Sequence, residues 1–231
     1  ACSGFDVLCH GIESYTALSY NKRQAPESPE YRPAYQGSNP ISDVWALEAL
    51  KIVGDNFISA VNNPDDIISK SNMMLAATYA GIGFGNAGVH LPHGMSYPVS
   101  GGVKEYKPNG YYQDKPIIPH GLSVILNAPA VFKYTFETNP ERHIKVAKIL
   151  GSNENFDSID PSELLPKILV QIIQDTGMPN GLSAVGYGKE DIPKLVEGTL
   201  PQHRVTKLSP KTAEKKDLEN LFLDSLVLWW N

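Results

Sequence analysis

Cysteine is scarce in this chain of 231 residues: Cys2 and Cys9 are the only two, both near the start. Two thiols cannot build the disulfide framework of a small secreted domain, so a reducing compartment is the expectation. Basic excess is also missing. Twenty Lys and Arg stand against 25 Asp and Glu, for a formal charge of −5, which removes the electrostatic footprint of a nucleic-acid binder. Long apolar runs are absent as well. The longest candidate, residues 76–89, is glycine-rich and broken by Asn86, short of the roughly 20 residues that a bilayer helix needs, so no membrane partner is expected. Strict period-two alternation is rare, which argues against a sheet. There is no internal repeat and no low-complexity tract. With 42% hydrophobic and 19% charged residues, intrinsic disorder is excluded and the chain has ample apolar surface for a core.

The sequence opens on Ala-Cys-Ser-Gly, without Met, and moves straight into a helical pattern. It reads as a segment of a longer polypeptide, and its lack of a targeting segment then carries no weight on location.

What is present is helical periodicity. Val7, Leu8, Ile12, Tyr15 and Leu18 recur at threes and fours and predict a helix over 5–20. Residues 21–40 hold Pro26, Pro29, Pro33 and Pro40 and read as a loop or lid. A second helix is expected from Ser42-Asp43 to Val61. A third runs from Asp65-Asp66 to about Ala87 and carries Ala76, Ala77, Ala80, Gly81, Gly83, Gly85 and Ala87. Glycine weakens helices, so this run predicts close approach of another backbone or a ligand. Gly81, Gly83 and Gly85 match a phosphate-binding turn only weakly, with no preceding strand. A second long loop is expected over 98–119, helix over 122–138, a helix from Pro140-Glu141 to Leu150, and one from Pro161 behind Asp160 to Gln174. Shorter helices are expected over 189–197 and 213–229. The apolar tail 226–230 is expected on the core or in an interface. The fold class is therefore all-α, with one helical domain over 1–231.

Six histidines are available for chemistry: His10, His90, His93, His120, His143 and His203. Asp6 and His10 are four apart and share a helix face. Pro92-His93-Gly94 and Pro119-His120-Gly121 each put an imidazole at a loop–helix boundary. Asp6, His10, His93 and His120 together would suit zinc or ferrous iron and are too rich in nitrogen for magnesium or calcium. The plain alternatives are a surface ion pair for Asp6–His10 and ordinary helix starts for the two Pro-His-Gly turns. His90 is a competing ligand or a supporting residue; His143 is expected on a solvated helix face, and His203 in a loop.

The stretches Gly4-Phe5-Asp6-Val7-Leu8-Cys9-His10-Gly11, Asn86-Ala87-Gly88-Val89-His90-Leu91-Pro92-His93-Gly94-Met95-Ser96-Tyr97-Pro98 and Ile118-Pro119-His120-Gly121-Leu122-Ser123 together resemble the three metal-ligand regions of the iron-containing alcohol dehydrogenases. Gly-Met-Ser-Tyr-Pro, and Gly198-Thr199-Leu200-Pro201 through Lys207-Leu208-Ser209-Pro210, are most similar to a mitochondrial transhydrogenase branch of that family. The resemblance implies metal ligation by Asp6, His10, His93 and His120, with Fe(2+) as cofactor and zinc possible. It implies a helical C-terminal domain here and an N-terminal α/β domain, outside this chain, that binds NAD(P). This segment alone is then expected to be inactive. The resemblance also implies small hydroxyacid and oxoacid substrates, a mitochondrial location and a possible homodimer. Where many relatives place a second histidine, this chain has Tyr97, the candidate catalytic residue, less basic than imidazole, so that proton transfer is expected to be arranged differently. The long segment before His120 contributes Lys104 and Lys107, which with Arg23 are candidate clamps for substrate carboxylates; a solvated charged loop is the alternative. The rival readings are a generic NAD(P)-dependent iron or zinc alcohol dehydrogenase, a metal-dependent hydrolase, and a non-catalytic helical domain. For the hydrolase, Glu13 is the one nearby acid, and its position better suits a structural contact.

Overall fold

The structure is a computed structural model that describes residues 1–112, 114–151 and 159–230. Among the described residues there is no strand; the sole β-type pairing is an isolated bridge between Ser19 and Ser38. The fold is all-α, as the periodicity predicts.

Helix α1 (Cys2–Thr16) lies at the centre. Phe5, Leu8, Cys9 and Ile12 are fully buried, the spacing of one helical face, and burial of each large apolar side chain is worth about 1.5–3 kcal/mol. Two long helices cover it. α2 (Pro40–Asn62) starts with Asn39 accepting from the Ser42 N–H at 3.0 Å and with Pro40 in its first turn. α3 (Ile67–Ala87) starts with Asp66 accepting from the Ser69 N–H at 2.9 Å. The two run against each other, and the expected close approach occurs at Gly83. A Cβ there would sit 3.3 Å from both the Ser42 carbonyl oxygen and the Ala46 nitrogen. Gly81 and Gly85 face open space, so among the three glycines of the run Gly83 alone makes the close approach, on the face that also buries Ala76, Ala80 and Ala87.

Then follow α4 (Leu91–Gly101), α5 (His120–Ile125), α6 (Ala128–Thr135), α7 (Pro140–Leu150), α8 (Pro161–Asp175), α9 (Ile192–Thr199), the short α10 (His203–Thr206) and α11 (Lys215–Asp224). α4 and α5 pack on α1 and on each other. No helix of the described residues is long and apolar enough to cross a membrane.

Four expectations are corrected. α1 stops at Thr16, because Leu18 leaves the helix: its N–H donates to the Leu208 carbonyl at 2.8 Å and its own carbonyl accepts from Ser38 at 3.1 Å. The second loop begins only after Gly101, since α4 reads through Pro98; that proline costs a single helical hydrogen bond, the one its N–H would have made. The helix expected over 122–138 is two helices, divided around Asn127. His143 is buried, not solvated. Its Nδ1–H donates to the Asn139 carbonyl at 2.9 Å and its Nε2 meets the Thr135 hydroxyl at 3.0 Å, with the rings of Phe132 and Phe136 beside it. The tail divides: Leu226 is buried, and Asn180 holds the backbone of Leu228 and Trp229, while Trp230 is exposed.

Candidate metal centre

Three helices aim side chains at one point. Asp6 and His10 project from one face of α1, His93 from the first turn of α4, and His120 from the first residue of α5. Each Pro-His-Gly turn owes its place to its glycine. A Cβ on Gly121 would lie 2.0 Å from the Cys2 carbonyl oxygen and 2.9 Å from the Asp6 nitrogen, so only glycine lets α5 press against the α1 backbone and bring His120 over Asp6. A Cβ on Gly94 would lie 2.6 Å from the Thr206 methyl, so the same device seats α10 against α4 beside His93.

Asp6 Oδ1 is the focus. The Nε2 atoms of His10, His93 and His120 lie 3.6, 3.4 and 3.6 Å from it. Donor atoms of Asp6, His10 and His93 all fall within 4.8 Å of one another, and His120 approaches from the solvent side with its side chain 45% exposed. Asp6 Oδ1 and His93 Nε2 are both buried without a hydrogen-bond partner. Buried polar atoms are normally satisfied, and orphaned lone pairs that converge from a carboxylate and imidazoles are what a borderline cation would complete. The donor set fits iron or zinc. Stacking fixes the ring planes: His10 lies flat on Phe84 at 3.9 Å and against His93 at 4.8 Å.

Glu13, one turn beyond His10 and fully buried, is the residue that sequence reasoning under-used. Its Oε1 is 2.6 Å from His93 Nδ1, and its Oε2 accepts the His90 N–H at 2.7 Å. With Nδ1 committed to Glu13, Nε2 is the atom His93 turns toward Asp6, the arrangement by which carboxylates orient metal-ligating histidines. The sequence signal was present in the i, i+4, i+7 series Asp6, His10 and Glu13 (one face of α1).

Charge follows from this packing. Burial alone would push His93 down, but the charge of Glu13 and its contacts with Asp6 and Glu13 carry it up to about 9. Burial lowers His10 to about 4, only partly opposed by Asp6. For Asp6, burial favours the neutral acid, yet His93, His10 and His120 together hold its carboxyl below the usual range. A buried site with this surplus of negative charge is built for a cation.

The other singled-out residues are placed as follows. His90 is fully buried, with Nε2 3.0 Å from the Thr16 hydroxyl; it braces α1 against α4 and stands outside the cluster. His203 opens α10 rather than lying in a loop, and is exposed. Tyr97, one turn after His93, lies parallel to His120 with ring centroids 6.2 Å apart. Burial raises its phenol above the ordinary value, with Arg204 pulling the other way. Lys104 reaches Asp191 at 2.6 Å from beyond the far end of α4, and Lys107 donates to the Asp114 carbonyl at 2.6 Å, so the structure does not bring either to the Asp6 cluster. Arg23 donates to the Tyr35 carbonyl.

Without a strand among the described residues, the fold gathers two candidate ligands from the middle of α1 and one from the first turn of each of α4 and α5. The model of the Fe-containing alcohol dehydrogenase family, C-terminal, matches residues 34–226, and the chain belongs to that family. It is 55% identical over 231 residues to the mitochondrial hydroxyacid-oxoacid transhydrogenases of Bos taurus and Homo sapiens, covering 99% of this chain and 50% of each relative. The chain thus spans half the length of these curated relatives. Among solved structures it is similar to the alcohol dehydrogenase from Oenococcus oeni, with a TM-score of 0.78 at 24% identity over 97% of this chain and 50% of that one, a likeness of fold.

Proposed function

We propose that this chain is the metal-binding half of a mitochondrial hydroxyacid–oxoacid transhydrogenase. In that reading 4-hydroxybutyrate is oxidised to succinate semialdehyde and 2-oxoglutarate is reduced to 2-hydroxyglutarate. The observation that carries it is the convergence of three imidazole Nε2 atoms on the buried, unpartnered Oδ1 of Asp6, in a chain 55% identical to enzymes of that name.

Asp6, His10, His93 and His120 would hold the metal. Bound iron, or zinc, supplies Lewis acidity toward a substrate oxygen, and the hydride acceptor is NAD(P), carried mainly by an α/β domain outside residues 1–231. The residues of this chain orient and desolvate. Glu13 fixes His93, and Phe84 keeps water from one face of His10. Tyr97, beside His120, holds a proton at its phenol oxygen for the substrate oxygen, a task that a weak acid performs without competing for the metal.

The test pairs product and metal analysis. Full-length protein given both substrates should form 2-hydroxyglutarate without accumulating free reduced nicotinamide. Accumulation of reduced nicotinamide with 4-hydroxybutyrate alone would assign an ordinary alcohol dehydrogenase instead. Residues 1–231 alone with NAD should show no turnover. His93→Ala and His120→Ala should each lower metal content, whereas His90→Ala should keep it; unchanged content in both ligand variants sinks the assignment.

A further inference from the structure

Outside the metal cluster, a cavity of about 510 Å³ lies between the 18–35 loop and α10. Lys22, Arg23, His203, Arg204 and Lys207 line it together with Tyr35, and among the described residues no aspartate or glutamate does. In a protein of net charge −5, gathering cations in one concavity is unfavourable unless an anion joins them. The walls are fixed. Leu208 and Tyr35 both close on Gly88, where a Cβ would lie 2.3 Å from Leu208 Cδ1 and 2.8 Å from Tyr35 Cβ, and where φ is +89°. Arg204 donates to the Tyr35 hydroxyl at 2.9 Å and lies over its ring. Arg23 is tied to the Tyr35 carbonyl.

The cavity is joined to the cluster by α10 and by Tyr97, whose ring centroid lies 6.2 Å from that of His120. α10, which carries His203 and Arg204, is seated on α4 at Gly94, the neighbour of His93, and Arg204 is near enough to Tyr97 for its charge to act on the phenol. We infer that this cavity is the carboxylate subsite of the enzyme, with Arg204 at its inner edge, and that it serves both half-reactions. The inference rests on the function proposed above and deepens it through a feature of substrate chemistry. In 4-hydroxybutyrate two methylenes separate the hydroxyl carbon from the carboxylate. In 2-oxoglutarate two methylenes likewise separate the keto carbon from the distal carboxylate. One fixed anion site therefore presents the reacting carbon of either substrate at the same place. Arginine and lysine pair with carboxylates by charge-assisted hydrogen bonds.

The experiment is a chain-length series with the full-length enzyme: 3-hydroxypropionate, 4-hydroxybutyrate, 5-hydroxypentanoate and neutral 1-butanol, with wild type, Arg204→Gln, Lys207→Gln and Arg204→Lys. Expected are a wild-type preference for the four-carbon acid and a KM for it raised roughly tenfold or more in Arg204→Gln. Partial rescue in Arg204→Lys is also expected. Binding of succinate, followed by calorimetry, should weaken in parallel and fade with added salt. Unchanged KM and chain-length preference in Arg204→Gln and Lys207→Gln would overturn the subsite while leaving the transhydrogenase intact. A wild type that oxidises 1-butanol and no hydroxyacid would overturn the function instead. Inorganic phosphate that binds the wild type more tightly than succinate, and is lost in Arg204→Gln, would reassign the cavity to a phosphate group and reject the carboxylate.

Discussion

His93 Nδ1 and Glu13 Oε1 meet at 2.6 Å in a fully buried contact between α4 and α1. This one pairing turns His93 Nε2 toward Asp6, and it joins residues 80 positions apart in sequence. The same carboxylate also caps the start of α4 through the His90 N–H, so ligand orientation and helix placement depend on one side chain.

Glu13→Gln tests that dependence. The amide keeps the shape and can still accept from the His90 N–H, but it loses the charge that holds His93. Metal affinity, measured by chelator competition, should fall about 10–100-fold, while secondary structure by circular dichroism stays the same. An affinity equal to wild type would show that Glu13 serves only as a cap.

Metal uptake should depend steeply on pH. In the metal-free protein His93 is raised to about 9, so below that pH a proton must leave before Nε2 can bind. His10, lowered to about 4, asks for no such displacement near neutrality. Apparent affinity should therefore rise with pH up to about 9, by roughly one decade per unit from His93 alone. The metal-free fold behaves oppositely. Because the folded value lies above the ordinary 6.5, the charged His93–Glu13 pair stabilises fully below pH 6.5, and that contribution is lost as pH rises through about 9. Thermal melts of metal-free and loaded protein across this range should diverge, and parallel melts would contradict the assignment.

Two glycine substitutions should act in opposite directions. Gly121→Ala drives a Cβ into the Cys2 carbonyl, so α5 must move off α1; metal content and melting temperature should both drop. Gly81→Ala meets nothing within 4 Å, and alanine favours the helix by about 1 kcal/mol, so the melting temperature should rise by a few degrees with metal content unchanged. Scanning calorimetry with elemental analysis reads both.

Helix identity was legible because periodicity is a local property. Phe5, Leu8 and Ile12, the prolines opening α7 and α8, and Asp66 at the start of α3 declare themselves within a few residues, whereas Pro40 read as loop and in fact opens α2. The sequence pattern misled where non-local partners decide. Leu18 leaves its helix for bonds with Leu208 and Ser38, and His143 is buried by Phe132 and Phe136, on an element its own charged neighbours marked as solvated.

The chain's own order of residues sets the all-α class and names the four candidate ligands through Asp6, His10 and the two Pro-His-Gly turns. Packing alone decides that Glu13 commands His93, that His90 and His143 are bracing residues, that Lys104 and Lys107 are spent on Asp191 and the Asp114 carbonyl, and that Arg204 joins Arg23 at one cavity. The reason is physical: helix formation answers to neighbours three and four apart, whereas burial and convergence answer to which distant backbones glycine lets come close.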